Sequence, residues 1–256
     1  EGPFQPDYPA FRLNGYSGRD LVALWACYCR YPGQLLLSNY MLDPGGAFWW
    51  HAPLKTAFVD DAKHLRMGYW KGNEALKGAA LPVNATTLDI LVAENGGEAI
   101  LAGDALNIIS PPFPSIRWIT PGNPSRTLVF QDTTFDFDKG CVLEGTLAVT
   151  AMNGLIFPAA GICLEQKDAE ATAILFETWG QTEIGSFTWR DQPRFVSRDL
   201  TGPNCATVAG IPLNETCFFR LLIRKGIFEI YLNDLLVQTF SAENLTGRVG
   251  FIVQDG

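Results

Sequence analysis

The sequence predicts an all-β protein: an antiparallel two-sheet sandwich of concanavalin-like type, preceded by a smaller all-β strand region. Three observations predict it. Apolar and polar residues alternate along the C-terminal segment. Short apolar runs recur between Gly, Pro and Asn turn signals along the chain. The 256 residues, 47% of them apolar, are enough to bury a core.

Taken in order, residues 1–10 carry three prolines and read as an extended arm. From about 11 to 80, runs such as Leu21-Val22-Ala23-Leu24-Trp25-Ala26 and Leu35-Leu36-Leu37 lie between turn signals at Tyr31-Pro32-Gly33, Asp43-Pro44-Gly45-Gly46 and Lys71-Gly72-Asn73. That rhythm predicts strands joined by tight turns. Residues 1–80 therefore form an N-terminal β region and 81–256 the sandwich, with an alternative boundary in the proline-rich stretch 111–124.

The C-terminal segment is the most regular. Phe219, Leu221 and Ile223 alternate with Arg220, Leu222 and Arg224, and Lys225-Gly226 turns the chain into Ile227 to Leu232. Asn233-Asp234 makes a second turn into Leu235 to Phe240, and Gly247 to Val253 supplies a further strand. A four-stranded meander is expected here, its apolar face covered by a second sheet containing Val142 to Val149 and Ala171 to Phe176.

A formal charge of −8 with no basic cluster argues against nucleic acid and against anionic membrane surfaces as partners. Sequons at Asn84-Ala85-Thr86, Asn214-Glu215-Thr216 and Asn244-Leu245-Thr246 predict a glycoprotein, secreted or vacuolar. In that setting the six cysteines are structural, and Cys205 with Cys217 and Cys141 with Cys163 are the expected pairs, each tying a local excursion of the meander. No CxxC occurs and there are two histidines, His51 and His64, so neither a zinc site nor any other metal or cofactor is called for.

Catalytic motifs are sparse. Gly15-Tyr16-Ser17-Gly18 is one residue short of a nucleophile elbow, and Pro44-Gly45-Gly46 and Asn95-Gly96-Gly97 lack the lysine and helix of a phosphate loop. Glu165 and Glu177 are conceivable as the two carboxylates of a glucanase, although strand carboxylates are more often solvated.

Aromatic residues carry the better signal. Trp49, Trp50, Tyr69, Trp70, Trp179 and Trp189 sit beside polar residues in predicted strands and turns. Such rings stack on the CH faces of sugars while polar neighbours bond the hydroxyls. Core packing is the competing use of any one of them. In Trp49-Trp50-His51, consecutive strand residues point to opposite faces, so one of the two tryptophans should meet a ligand, another domain or a second chain unless both faces are covered.

The stretch Phe218 to Asp234, with its Leu-rich strand turning into Ile227-Phe228-Glu229-Ile230-Tyr231-Leu232-Asn233-Asp234, resembles the C-terminal sandwich of family 32 glycoside hydrolases, the invertase and fructanase group. Thr172 to Phe176 with Phe195 to Leu200 is similar to a strand pair of the same module, with the order inverted at Arg198-Asp199. Gly18 to Trp25, Pro53-Leu54-Lys55, His64 to Met67 and Glu74-Ala75-Leu76 resemble late propeller strands and the passage into the sandwich. The family's catalytic W-M-N-D-P-N-G, R-D-P and E-C motifs are not reproduced: Met41 to Gly46 shares Asp-Pro and a glycine with the first, and Arg190-Asp191-Gln192-Pro193 interrupts the second. No catalytic role passes to Asp43 or Asp191. The resemblance implies the C-terminal, non-catalytic portion of a glycosidase-like protein acting on fructan- or sucrose-type sugars. A second polypeptide or missing domain would carry the β-propeller, and Glu229 would be a sandwich residue near an interface. A free-standing lectin-like module is the alternative that the residues themselves favour.

Overall fold

The computed structural model describes residues 23–42, 49–61, 63–81, 87–113, 124–152, 158–178, 182–201 and 214–256. The strands in chain order are β1 (Ala23–Tyr31), β2 (Gln34–Leu42), β3 (Trp49–His51), β4 (Lys55–Val59), β5 (Leu65–Tyr69), β6 (Leu88–Ala93), β7 (Glu98–Ala102), β8 (Ala105–Ile109) and β9 (Arg126–Thr134). They continue with β10 (Cys141–Leu147), β11 (Ala159–Gln166), β12 (Glu170–Glu177), β13 (Thr182–Thr188), β14 (Arg194–Thr201), β15 (Cys217–Arg224), β16 (Ile227–Leu232), β17 (Leu235–Ser241) and β18 (Leu245–Gln254). A short 3-10 helix, Lys71–Leu76, follows β5.

Every pairing is antiparallel, and the strands make two large sheets. The first runs β1-β2-β4-β5-β17-β16-β15-β10, with β3 on β2; the second runs β14-β13-β12-β11-β18-β9-β6; β7 and β8 form a separate hairpin. The chain is thus an all-β, antiparallel sandwich.

Between the sheets lie Phe219, Leu221 and Ile223 of β15, Phe228, Ile230 and Leu232 of β16, Ile162 and Leu164 of β11, Ile174 and Phe176 of β12, and Ile184 of β13. The alternation seen in the sequence is the reason: with a two-residue side-chain period, each of these strands delivers one complete apolar face.

The turns follow their residues. Lys225 and Gly226 both have positive φ (50° and 80°), as do Asn233 and Asp234 (47° and 63°), the conformation of two-residue type I′ hairpins. At Gly226 a Cβ would overlap the carbonyl oxygen of Ala242, so glycine is required there on two counts.

Two expectations are corrected. β18 does not continue the meander but pairs with β11 and β9 in the second sheet, so the chain crosses the sandwich after β17. Residues Val142 to Val149 do not belong to the covering sheet either, because β10 pairs with β15 as the edge of the first. Alternation marks an apolar face without saying which sheet owns the strand. Ala171 to Phe176 lies in the second sheet as expected.

The outer face of the second sheet is apolar as well, with Leu128, Phe130, Cys163, Ala173, Leu175 and Ile252 buried there. The proposed Cys141–Cys163 bridge fails for this reason. Cys141 packs towards the space between the sheets, Cys163 faces away from it, and both are free thiols. Cys217 is a buried thiol in the inter-sheet core, and its expected partner Cys205 lies outside the described residues.

The N-terminal strands join the first sheet at β5, where Gly68 pairs with Leu235 and Tyr69 N–H donates to the Asp234 carbonyl at 2.8 Å. Leu37, Ala57, Met67 and Tyr69 then share a small core with Tyr231 and Leu236, on the face of the sheet turned away from the main core. Strands on both sides of the expected boundary therefore share one sheet. Residues 82–86, just after the expected boundary, and most of 111–124 lie outside the described residues.

Candidate functional site

The outer face of the first sheet is set by the residues that alternate with the core. On β15 these are Arg220, Leu222 and Arg224, and on β16 Ile227, Glu229 and Tyr231, with Arg220 opposite Tyr231 and Leu222 opposite Glu229. A cleft of about 950 Å³ opens on this face, walled by β10 on one side and by His51, Pro53, Leu54 and the 70–81 segment on the other, and it reaches past β10 to the inter-sheet residues Phe135, Ile223, Phe228 and Val249.

Four of the residues singled out from sequence meet here: His51, Tyr69, Trp70 and Glu229 all line the cleft. His51 is exposed, accepts from or donates to Ser38 Oγ through Nδ1 at 3.3 Å, and lies against Tyr40 with ring centroids 4.5 Å apart. Trp70 is half-buried and meets Tyr31 edge-on at 5.7 Å. Its six-membered ring lies over Gly72, where any Cβ would overlap it. Trp70 is thus held by a neighbour that offers no side chain.

Glu229 forms the floor. It is 2% exposed, Oε1 lies 2.6 Å from Nζ of the equally buried Lys55, and Oε2 accepts from Tyr231 O–H at 2.7 Å. Lys55 Nζ also donates to Asn39 Oδ1 and to the Pro53 carbonyl, both at 3.0 Å. A buried charge is tolerable only when an opposite charge stands against it in this way. The network spans β2, β4 and β16, and so it ties the N-terminal strands to the sandwich.

The wall towards β10 is a second charged cluster. Arg220 lies over the Tyr69 ring at 3.6 Å and bonds Glu144 Oε1 at 2.5 Å and the Asp234 carboxylate. Lys77 Nζ bonds Glu144 at 2.8 Å and Glu74 at 2.7 Å. Burial alone would raise the Glu144 carboxyl, but hydrogen bonds from Lys77 and Arg220 outweigh it and hold it below the usual glutamate value; Glu74 is lowered chiefly by its bond to Lys77. Burial and the neighbouring Glu74 push the Tyr69 hydroxyl well up, so it stays protonated as a donor. Burial likewise pushes the Cys141 thiol up to about 11, which leaves it inert at neutral pH.

Lys55, Arg220, Glu144, Lys77 and Asn39 were not singled out from sequence. Their signal was present in part: Arg220 and Glu229 interrupt otherwise apolar strands. Lys55 and Lys77 had no such mark, because their partners are far away in sequence.

The other candidates lie elsewhere. Trp189 is on the outer face of the second sheet, packed on Phe130 with centroids 5.8 Å apart, and takes no part in the cleft. Trp49 and Trp50 precede His51 on β3, pairing with Leu42 and Met41. Trp179 and Asn84 lie outside the described residues, whereas Asn214 and Asn244 are exposed at positive-φ positions.

The glucanase pair does not assemble. Glu165 stands opposite Ala171, and Glu177 is six residues further along β12. At about 3.3 Å per residue the two are roughly 20 Å apart, whereas glycosidase carboxyls stand about 5 to 9.5 Å apart. Glu165 is instead paired with Arg248 at 2.9 Å. Among the described residues no group of His, Cys, Asp and Glu is arranged to hold a metal ion.

No protein-family model and no curated protein matches this chain. Among solved structures it is similar to the carbohydrate-binding module CBM66 from Bacillus subtilis, with a TM-score of 0.45 and 12% identity over 67% of this chain and 90% of that one. It is also similar to the galectin LEC-6 of Caenorhabditis elegans, with a TM-score of 0.34 and 18% identity over 53% of this chain and 85% of that one. A sucrose-6-phosphate hydrolase from Lactobacillus gasseri aligns with 87% of this chain but only 39% of its own, at 12% identity and a TM-score of 0.36. Likenesses of this degree do not identify a ligand, so the functional reading rests on the cleft.

Proposed function

We propose that this protein is a carbohydrate-binding β-sandwich whose sugar site is the cleft on the outer face of the first sheet. One observation carries the reading: the rings of Trp70 and His51 line a cleft whose floor and wall are polar groups already fixed by bonds to one another. Rings supply stacking surfaces and rigid polar groups supply directional bonds, the combination that small-molecule sites use. The volume lies at the upper end of the range for such sites, room for more than one sugar ring.

The finer reading is that the chain is the non-catalytic portion of a secreted or vacuolar glycosidase-like protein of the fructan- or sucrose-processing kind, flanking a site on a β-propeller partner. It is supported by the sequence resemblance around Glu229 and by the exposed sequons at Asn214 and Asn244. Co-purification of a propeller-bearing polypeptide from the native source tests it.

The site itself is tested on a glycan array that includes fructans, glucans and galactans. The wild type should bind at least one class, and Trp70→Ala, folded by circular dichroism, should lose about thirtyfold, the effect of removing an aromatic hot spot. Flat signals for the wild type across all classes would end the proposal.

A further inference from the structure

One rim of the cleft is not what sugar hydroxyls need. Leu76 is 76% exposed, Leu81 63% and Val142 38%, and all three line the same cleft as Trp70. Ala79 and Ala80, between the two leucines, are exposed lining residues as well. Scattered exposed aliphatics are ordinary, but a contiguous set beside a binding cleft marks a surface for an apolar partner.

Most charged groups of the cleft are meanwhile matched, but Arg224, an exposed lining residue, has no ion pair among the described residues. Lys55 faces Glu229, Lys77 and Arg220 share Glu144, Glu74 and Asp234, and Lys139 faces Asp136. At each of these paired cations an anionic ligand would have to compete with a carboxylate already in contact.

We infer that the cleft takes a glycoside carrying an apolar aglycone, the sugar against Trp70 and His51 and the aglycone along Leu76, Leu81 and Val142. This rests on the reading of the cleft as a sugar site. It commits the aliphatic rim to one occupant, because the rim is continuous with that site and the exposed side chains of Leu76, Ala79, Ala80, Leu81 and Val142 are aliphatic. Each methylene removed from water along the rim multiplies affinity about fourfold when fully buried, less where one side stays wet.

The test is calorimetric titration of the whole chain with matched methyl and octyl β-glycosides of glucose, galactose and fructose, the octyl members kept below micelle formation. For the sugar that binds, the octyl glycoside should bind tenfold or more tightly than the methyl one. Leu76→Ser combined with Leu81→Ser, both highly exposed and so without consequence for folding, should abolish that advantage and leave the methyl glycoside unchanged. A parallel arm with phosphatidylcholine vesicles carrying a glycolipid of the same sugar separates a membrane-presented ligand from a soluble one. Equal affinities for methyl and octyl members, or an octyl advantage that survives the double substitution, would overturn the inference while leaving the sugar site standing. Failure of every saccharide, free or substituted, would instead remove the sugar site itself.

Discussion

At the residue scale, two positions decide how the cleft is built. Gly72 lies under the ring of Trp70, and a methyl group there would overlap the ring. The ring is a half-buried side chain that can swing away, so Gly72→Ala should shift the tryptophan emission and weaken sugar binding about as much as Trp70→Ala. Unfolding free energy should stay within about 0.5 kcal/mol of wild type. Unchanged affinity would show that Trp70 is not the platform. Lys55 and Glu229 are the second point. Removing one partner strands a buried charge, so Lys55→Met should cost about 3–5 kcal/mol in urea denaturation, and adding Glu229→Leu should restore at least half. Of these residues, Glu229 was marked in the sequence through the resemblance of its strand to the family 32 sandwich, which implied a non-catalytic residue near an interface. Lys55 was invisible: a lysine between Leu54 and Thr56 is an ordinary surface residue until β4 is seen to bring it against β16.

At the scale of elements, the charged cluster of Lys77, Arg220, Glu144, Glu74 and Asp234 ties the 3-10 helix to β10, β15 and the β16–β17 turn. Its carboxylates Glu74 and Glu144 titrate below the ordinary glutamate value of 4.5 in the folded chain. Groups lowered on folding stabilise the native state fully above their unfolded pKa and lose that contribution as pH falls through the folded one. Melting temperature should therefore be flat above about pH 6 and fall below about pH 4.5, and Glu144→Gln should lower the neutral plateau while flattening the acid limb. An acid limb identical in the variant would mean that Glu144 has no part in it. The strands and the positions of both turns in this region were readable, since Gly226 and the Asn233-Asp234 pair are turn residues between apolar runs. The sheet assignment of β10 and β18 was not, because pairing depends on contacts between segments far apart in sequence.

At the scale of the molecule, nine strands from both ends of the chain form one sheet. The cleft exists because the 70–81 segment crosses the outer face of that sheet, between the N-terminal strands and β10. The sequence showed aromatic residues in plenty but could not say which belonged together. His51, Tyr69 and Trp70 proved to line one cleft, whereas Trp189 went to the far side of the second sheet, where a core-like setting claimed it. The central claim is the location of the sugar site. Its most direct test is nuclear magnetic resonance chemical-shift mapping with the best-binding oligosaccharide from the array. The account predicts perturbations at the Trp70 indole N–H and at the amides of Gly72 and Asn73, with the Trp189 indole unmoved. Shifts centred on Trp189 and the outer face of the second sheet, with Trp70 silent, would contradict it.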